Sequence, residues 1–131
     1  MNQPIRIAIV EDDAGVRDSL QQIFASAPDF RVVGAFADAE SALEQLPGRD
    51  LQVVLMDIHL PGLSGIDCLR RLKVEIPKVK VVMATVYDDN DNLFQALVAG
   101  ADGYLLKRTT RLRWLDAVRE IVNGGAPISP Q

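Results

Sequence analysis

Three acidic residues in a row, Glu11, Asp12 and Asp13, follow the first apolar run of the chain, and Asp57 closes the run Val53-Val54-Leu55-Met56. Thr85 and Lys107 follow two later runs. Carboxylates held a few ångströms apart raise one another's pKa unless a cation lies between them, so such a cluster predicts a hard divalent ion. Magnesium (or manganese) suits it, because two carboxylates, a backbone carbonyl and water or phosphate oxygens complete an octahedral oxygen shell. No cysteine and histidine cluster points to zinc. A lysine and a threonine hydroxyl at the same edge supply the cation and the neutral donor that a phosphoryl oxygen needs. The absence of a glycine-rich Walker loop and of GxGxxG after the first run argues against a bound nucleotide, and so for a covalent phosphate. A carboxylate can be the nucleophile of phosphoryl transfer, and Asp57 is the candidate. It leaves a buried strand for a loop, so its backbone is held while its side chain can be exposed. Asp12 is then expected to hold the metal, with Glu11 helping through water.

These residues come together only if strands deliver them to one edge. Ile5 to Val10, Leu51 to Met56 and Val79 to Ala84 are rich in Val and Ile with little alternation, as expected of strands covered on both faces. Helical spacing separates them: Val16, Leu20, Ile23 and Phe24 share a face, as do Ile66, Leu69 and Leu72, and then Leu93 and Leu97. Arg31 to Phe36 and Gly103 to Leu106 read as two further strands, followed by helices at about Ala39 to Leu46 and about Thr110 to Asn123. Five strands and five helices in alternation predict an α/β fold, a doubly wound (βα)5 flavodoxin-like parallel sheet of strand order 2-1-3-4-5. In that order the first and third strands are neighbours, so Asp12 and Asp57 face one another across the crevice at the carboxyl ends. Residues 1–123 form one domain. Residues 124–131, rich in Gly and Pro, read as the start of an interdomain linker.

The chain has 131 residues, 48% hydrophobic and 24% charged, enough for one self-supporting core. Its formal net charge of -4 opposes direct binding to nucleic acid or anionic membrane. The single Cys68 excludes an internal disulfide and reads as a small buried hydrophobe. With no membrane-length apolar run and no signal-like start, a cytoplasmic protein is expected.

Ile7-Ala8-Ile9-Val10-Glu11-Asp12-Asp13, the stretch Val54-Leu55-Met56-Asp57-Ile58-His59-Leu60-Pro61-Gly62-Leu63-Ser64-Gly65, Met83-Ala84-Thr85 and Gly100-Ala101-Asp102-Gly103-Tyr104-Leu105-Leu106-Lys107 resemble the receiver signature of two-component response regulators. The likeness runs from about Ile5 to Asn123. It implies phosphorylation of Asp57 by a sensor histidine kinase, with magnesium at Asp12, Asp57 and the backbone carbonyl of His59. It further implies Lys107 paired to the phosphoryl group, a switch made of Thr85 and Tyr104, and self-catalysed phosphoryl chemistry in a signalling domain rather than a turnover enzyme. The segment from Asp102 to Lys107 without a following proline, and the tail Gly124-Gly125 with Ile128-Ser129-Pro130, are similar to LuxR/NarL-type transcription regulators. That subgroup implies a homodimer on phosphorylation and DNA contact only through a helix-turn-helix domain beyond this chain. Glu11 in place of the commoner aspartate lengthens one acidic arm. Val86, His59 and Tyr87 flank the expected phosphate and predict a long-lived adduct.

Other residues take plainer readings. Asp13 is a helix cap, not a ligand. His59 sits in solvent and contributes only its carbonyl, Trp114 packs in the core or at its rim, and Arg108, Arg111 and Arg113 form a solvated basic face. Tyr104 alone would read as edge-strand packing. An aspartyl-phosphate phosphatase would place a second acid where His59 stands and would need a cap domain. A flavin module would need Ser, Thr and Gly where Glu11-Asp12-Asp13 repel phosphate. A degenerate receiver, acting only in protein interaction, would have lost an acid or the lysine.

Overall fold

The computed structural model describes residues 3–86, 90–124 and 128–129, the last pair by backbone alone. Its elements are β1 (Ile5–Val10), α1 (Ala14–Ala25), β2 (Phe30–Phe36), α2 (Ala39–Gln45), β3 (Val53–Asp57), α3 (Gly65–Glu75), β4 (Lys80–Thr85), α4 (Asn90–Val98), β5 (Gly103–Leu106), α5 (Arg111–Val122) and β6 (Ile128–Ser129). All pairings are parallel, and the strands lie in the order β2-β1-β3-β4-β5-β6. Among the described residues no helix is long and apolar enough to cross a membrane.

The period of two along each strand divides the interior into two cores. Ile7 and Ile9, Val53 and Leu55, Val82 and Ala84, and Leu105 pack with Leu20 and Phe24 of α1 and with Trp114, Val118 and Ile121 of α5. Their alternates, Ala8 and Val10, Val54 and Met56, Val81 and Met83, and Tyr104, pack with Ala42 of α2 and with Ile66, Leu69 and Leu72 of α3. Both faces being covered explains why the central strands read as unbroken apolar runs. Helix entry is set by side-chain caps: Asp13, Asp38, Ser64 and Thr110 accept from the N–H groups of Val16, Ser41, Asp67 and Arg113.

Four expectations need correction. First, β3 begins at Val53 rather than Leu51, because the pairing with β1 starts at Ile7 opposite Val53. Second, β4 begins at Lys80, since the N–H of Val79 closes a turn onto the carbonyl of Ile76 at 3.0 Å. Third, α4 does not bury the face of Leu93 and Leu97: Ala96 is buried and Leu93 half-buried, whereas Leu97 is 41% and Phe94 69% exposed. At 100° per residue the apolar set of α4 spans more arc than the narrow end of the sheet covers, and the inward stripe is Leu93 with Ala96. Fourth, the sheet has a sixth strand inside the expected linker: Ile128 and Ser129 pair with Tyr104 and Leu105, which covers the edge that the short β5 would otherwise leave open.

Candidate functional site

The carboxyl ends of β1, β3 and β5 carry Glu11, Asp57 and Lys107, and these three converge. Each extends the side of its strand that faces α1 and α5, following Ile9, Leu55 and Leu105 by two residues. Two strand spacings separate β5 from β3, about 10 Å, a span that the lysine stem covers by crossing the end of β4. Its ammonium lies 2.5 Å from Glu11 Oε1 and 3.1 Å from Asp57 Oδ2. Backbone bonds hold the ends in place: Glu11 N–H donates to Phe36 O at 2.9 Å, Ile58 N–H to Ala84 O at 3.0 Å, and Lys107 N–H to Thr85 O at 2.7 Å.

One oxygen atom from each of Glu11, Asp12 and Asp57 lies within 4.8 Å of the others. Asp57 Oδ1 accepts the N–H of His59 at 3.0 Å, and Glu11 Oε2 accepts that of Asp13 at 3.0 Å. Asp57 is the last residue of β3 and only 4% exposed, which corrects the expectation of an exposed side chain. It forms the floor of an open cleft of about 300 Å³ lined by Glu11, Asp12, Asp13, Val16, His59, Val86 and Lys107. Burial pushes the Glu11 carboxyl above its usual range, the bonds from Lys107 and the Asp13 N–H oppose this, and the Asp57 charge adds to it. Burial would depress Lys107, but its bond to Glu11 and the charge of Asp57 outweigh that and raise it. With four acids, Glu11, Asp12, Asp13 and Asp57, and one lysine in its lining, the cleft carries an excess of negative charge. An oxygen-only donor set of this size fits a hard divalent ion such as magnesium.

The remaining predicted residues stand as follows. Thr85 ends β4, fully buried, and Tyr104 is buried on β5. Both belong to the sheet face toward α3, and Tyr104 pairs with Met83, two residues before Thr85. The two side chains therefore share a face at diagonal positions. His59 is exposed at the cleft mouth, with Nε2 3.5 Å from the Asn92 amide of α4. Tyr87 lies outside the described residues. Asp13 caps α1 through Val16 N–H at 3.0 Å, as read from the sequence. Trp114 is core, and burial lifts the Cys68 thiol to about 12, which leaves it inert. On the basic face, Arg111 bonds Ser26 Oγ and Arg113 lies 3.7 Å from Glu120.

Sequence reasoning missed two residues. A Cβ on Gly65, the first residue of α3, would lie 2.0 Å from the carbonyl oxygen of Asp57, so only glycine lets this helix start against the end of β3. Arg17 of α1 donates to the carbonyl of Glu11 at 2.9 Å and lies 3.5 Å from that of Asp12. A cation in the first turn of a helix, at the unfavourable end of its dipole, was the available signal.

Comparison with known proteins agrees with this arrangement. The family model of the response regulator receiver domain matches residues 7–119. The transcriptional regulatory protein DegU of Brevibacillus brevis is 35% identical over 127 residues, 97% of this chain and 54% of its own length. UhpA of Escherichia coli K12 is 36% identical over 127 residues, 96% of this chain and 63% of its own length. The chain thus spans little more than half the length of these relatives. Among solved structures, the receiver domain of the putative response regulator NarL from Mycobacterium tuberculosis superposes with a TM-score of 0.89 at 26% identity, covering 94% of this chain and 99% of the other. A CheX-CheY-BeF3-Mg complex from Borrelia burgdorferi gives 0.84 at 26% identity, covering 91% and 90%. The strand order, the acidic cleft over β3 and the match across most of the sequence agree on one family: the chain belongs to the response regulator receivers, signalling domains of the kind found in DegU-, UhpA- and NarL-type LuxR regulators.

Proposed function

We propose that Asp57 accepts a phosphoryl group from a sensor histidine kinase and that the adduct changes the surface through which the domain controls an output. The observation that carries this reading is the convergence of Glu11, Asp12 and Asp57 within 4.8 Å with Lys107 bridging two of them. In the transfer an Asp57 oxygen forms a bond to phosphorus while the bond from phosphorus to the donor nitrogen breaks, and the leaving imidazole takes up a proton. Positioning and electrostatics dominate such reactions. The Asp57 carboxylate is oriented at both oxygens, by the His59 N–H and by Lys107. Lys107 is close enough to leave Asp57 for a phosphoryl oxygen. Magnesium, when bound, supplies charge that neutralises the phosphoryl oxygens; Asp12, Asp57, the backbone carbonyl of His59 and, through water, Glu11 are the groups that would hold it. The BeF3 and magnesium in the Borrelia relative support that choice.

Thr85 and Tyr104 form the switch in this reading, the hydroxyl moving toward the phosphoryl group and the ring following, which their shared face and diagonal positions support. The output is a LuxR-type DNA-binding domain outside this chain, the phosphorylated state is a homodimer, and the protein acts in the cytoplasm. Loss of the phosphate is self-catalysed and slow, because Val86 and His59 flank the cleft.

The test is incubation with magnesium and a small acyl-phosphate donor, followed by intact-mass analysis and a chase after donor removal. One phosphoryl group is expected, absent with chelator or in Asp57→Asn, and persisting well beyond seconds. An adduct that forms equally without magnesium contradicts the proposed site, and a half-life of seconds contradicts the slow loss.

A further inference from the structure

The acid pair at the end of β1 is held unequally. Glu11 is anchored by its side chain, to Lys107 and to the Asp13 N–H, and is buried. Asp12 is exposed, and among the described residues no side chain holds its carboxylate, so its place comes from the loop backbone. That backbone is gripped from α1. Arg17 reaches back to donate to the Glu11 carbonyl at 2.9 Å, with the Asp12 carbonyl 3.5 Å away. The two oxygens belong to the peptides on either side of the Asp12 Cα, and together these peptides set the direction of its side chain. Arg17 is itself in the first turn of α1, where the helix dipole disfavours a cation. Its guanidinium therefore has a compensating partner, and that partner is the loop carrying the metal acids.

We propose that Arg17 is a positioning residue for the divalent cation, fixing the loop from Glu11 to Asp12 so that Asp12 meets Asp57 across the cleft. The inference rests on the phosphoacceptor reading of the cleft. Two effects of Arg17 on a bound cation have opposite signs. Its charge repels a cation, so its removal by that effect alone tightens binding. Its hydrogen bond orders the ligand loop, so its removal by that effect weakens binding, as loss of groups supporting metal ligands commonly does by about tenfold or more. The geometry favours the second, because the guanidinium faces backbone carbonyls rather than the carboxylate oxygens and its charge is screened at the surface.

The experiment is Mn2+ titration of the 131-residue chain, followed by electron paramagnetic resonance, for the unsubstituted protein, Arg17→Met, Arg17→Lys and Asp12→Asn, with metal-free thermal unfolding recorded for each. The expected result is about tenfold weaker binding for Arg17→Met, partial recovery in Arg17→Lys, which keeps the charge and one donor, and nearly unchanged metal-free melting for both. Binding in Arg17→Met equal to or tighter than in the unsubstituted chain overturns the proposal, as does weakening that only mirrors a large fall in metal-free melting. If the unsubstituted chain binds no better than Asp12→Asn, the reading of the cleft itself fails, a result distinct from failure of the Arg17 arm.

Discussion

Replacing Lys107 with methionine is expected to slow phosphorylation of the protein by about a hundredfold or more, the loss that follows removal of one preorganised charge donor from a transition state. It is also expected to change how folding stability depends on pH. In the intact protein the ammonium lies between two buried carboxylates, 2.5 Å from Glu11 and 3.1 Å from Asp57. Methionine keeps the length of the stem and removes the charge, so Glu11, already pushed up by burial, loses an interaction that held it down. A carboxyl whose folded pKa lies above its unfolded value contributes stability below the unfolded value and loses it as pH rises through the folded one. The variant should therefore match the parent under acidic conditions and fall behind as pH climbs out of the carboxylate range toward neutrality. Leaving buried charge uncompensated costs about 3 kcal/mol there. Magnesium should restore part of the loss by supplying the missing positive charge. The rate of mass gain with magnesium and an acyl-phosphate donor measures the first effect, and urea unfolding at several pH values, with and without magnesium, measures the second. A Lys107→Met protein whose stability runs parallel to the parent at every pH would show that the lysine does not hold the acids.

Gly65→Ala is expected to damage both the fold and the site. The added Cβ would sit 2.0 Å from the Asp57 carbonyl oxygen and 2.9 Å from Ile58 Cα, distances that require backbone to move. The end of β3 has little room to yield, since it lies between β1 and β4 and Ile58 N–H is bonded to Ala84 O. The start of α3 must give way instead, which strains the bond from Gly65 N–H to Ile58 O and the Ser64 cap on Asp67 N–H. Overpacking of this severity costs about 3 kcal/mol, and the displaced Asp57 should be phosphorylated more slowly even in the folded fraction. Gly15→Ala is the control. Its Cβ would meet only a side-chain oxygen, Asp13 Oδ1 at 3.3 Å, and the gain in helix propensity offsets that crowding, so a change below about 1 kcal/mol is expected. Equal melting temperatures for the two variants would contradict the packing argument at Gly65.

Much of this was legible in the residues because the strands that carry the site are buried on both faces. Such strands read as apolar runs, and the first polar residue after each run is also the first at the sheet edge. Glu11, Asp57 and Lys107 were found in this way, and the bounds of β1 and β5 were those read from the sequence. Two kinds of feature were hidden. One is contact between distant segments: nothing in Ser64-Gly65 shows that the helix it opens will rest on the Asp57 carbonyl, and nothing in the order of residues shows that Lys107 will choose Glu11 as well as Asp57. The other is the limit of the core. Leu93, Phe94, Leu97 and Val98 repeat as a buried helix would, but α4 flanks the short end of the sheet, where little surface is available to cover them. The pairing of Ile128 and Ser129 with β5 was hidden too, because a two-residue strand leaves no periodic signal.

The central claim is that Asp57 carries the phosphoryl group, and its most direct test is chemical trapping. The protein would be treated with magnesium and an acyl-phosphate donor, reduced with borohydride, digested and mapped by mass spectrometry. Reduction of an aspartyl phosphate leaves homoserine in place of the aspartate. Homoserine at residue 57, and at no other acidic position, is the predicted result. Homoserine at residue 12 or 13, or undiminished phosphorylation of Asp57→Asn, would contradict it.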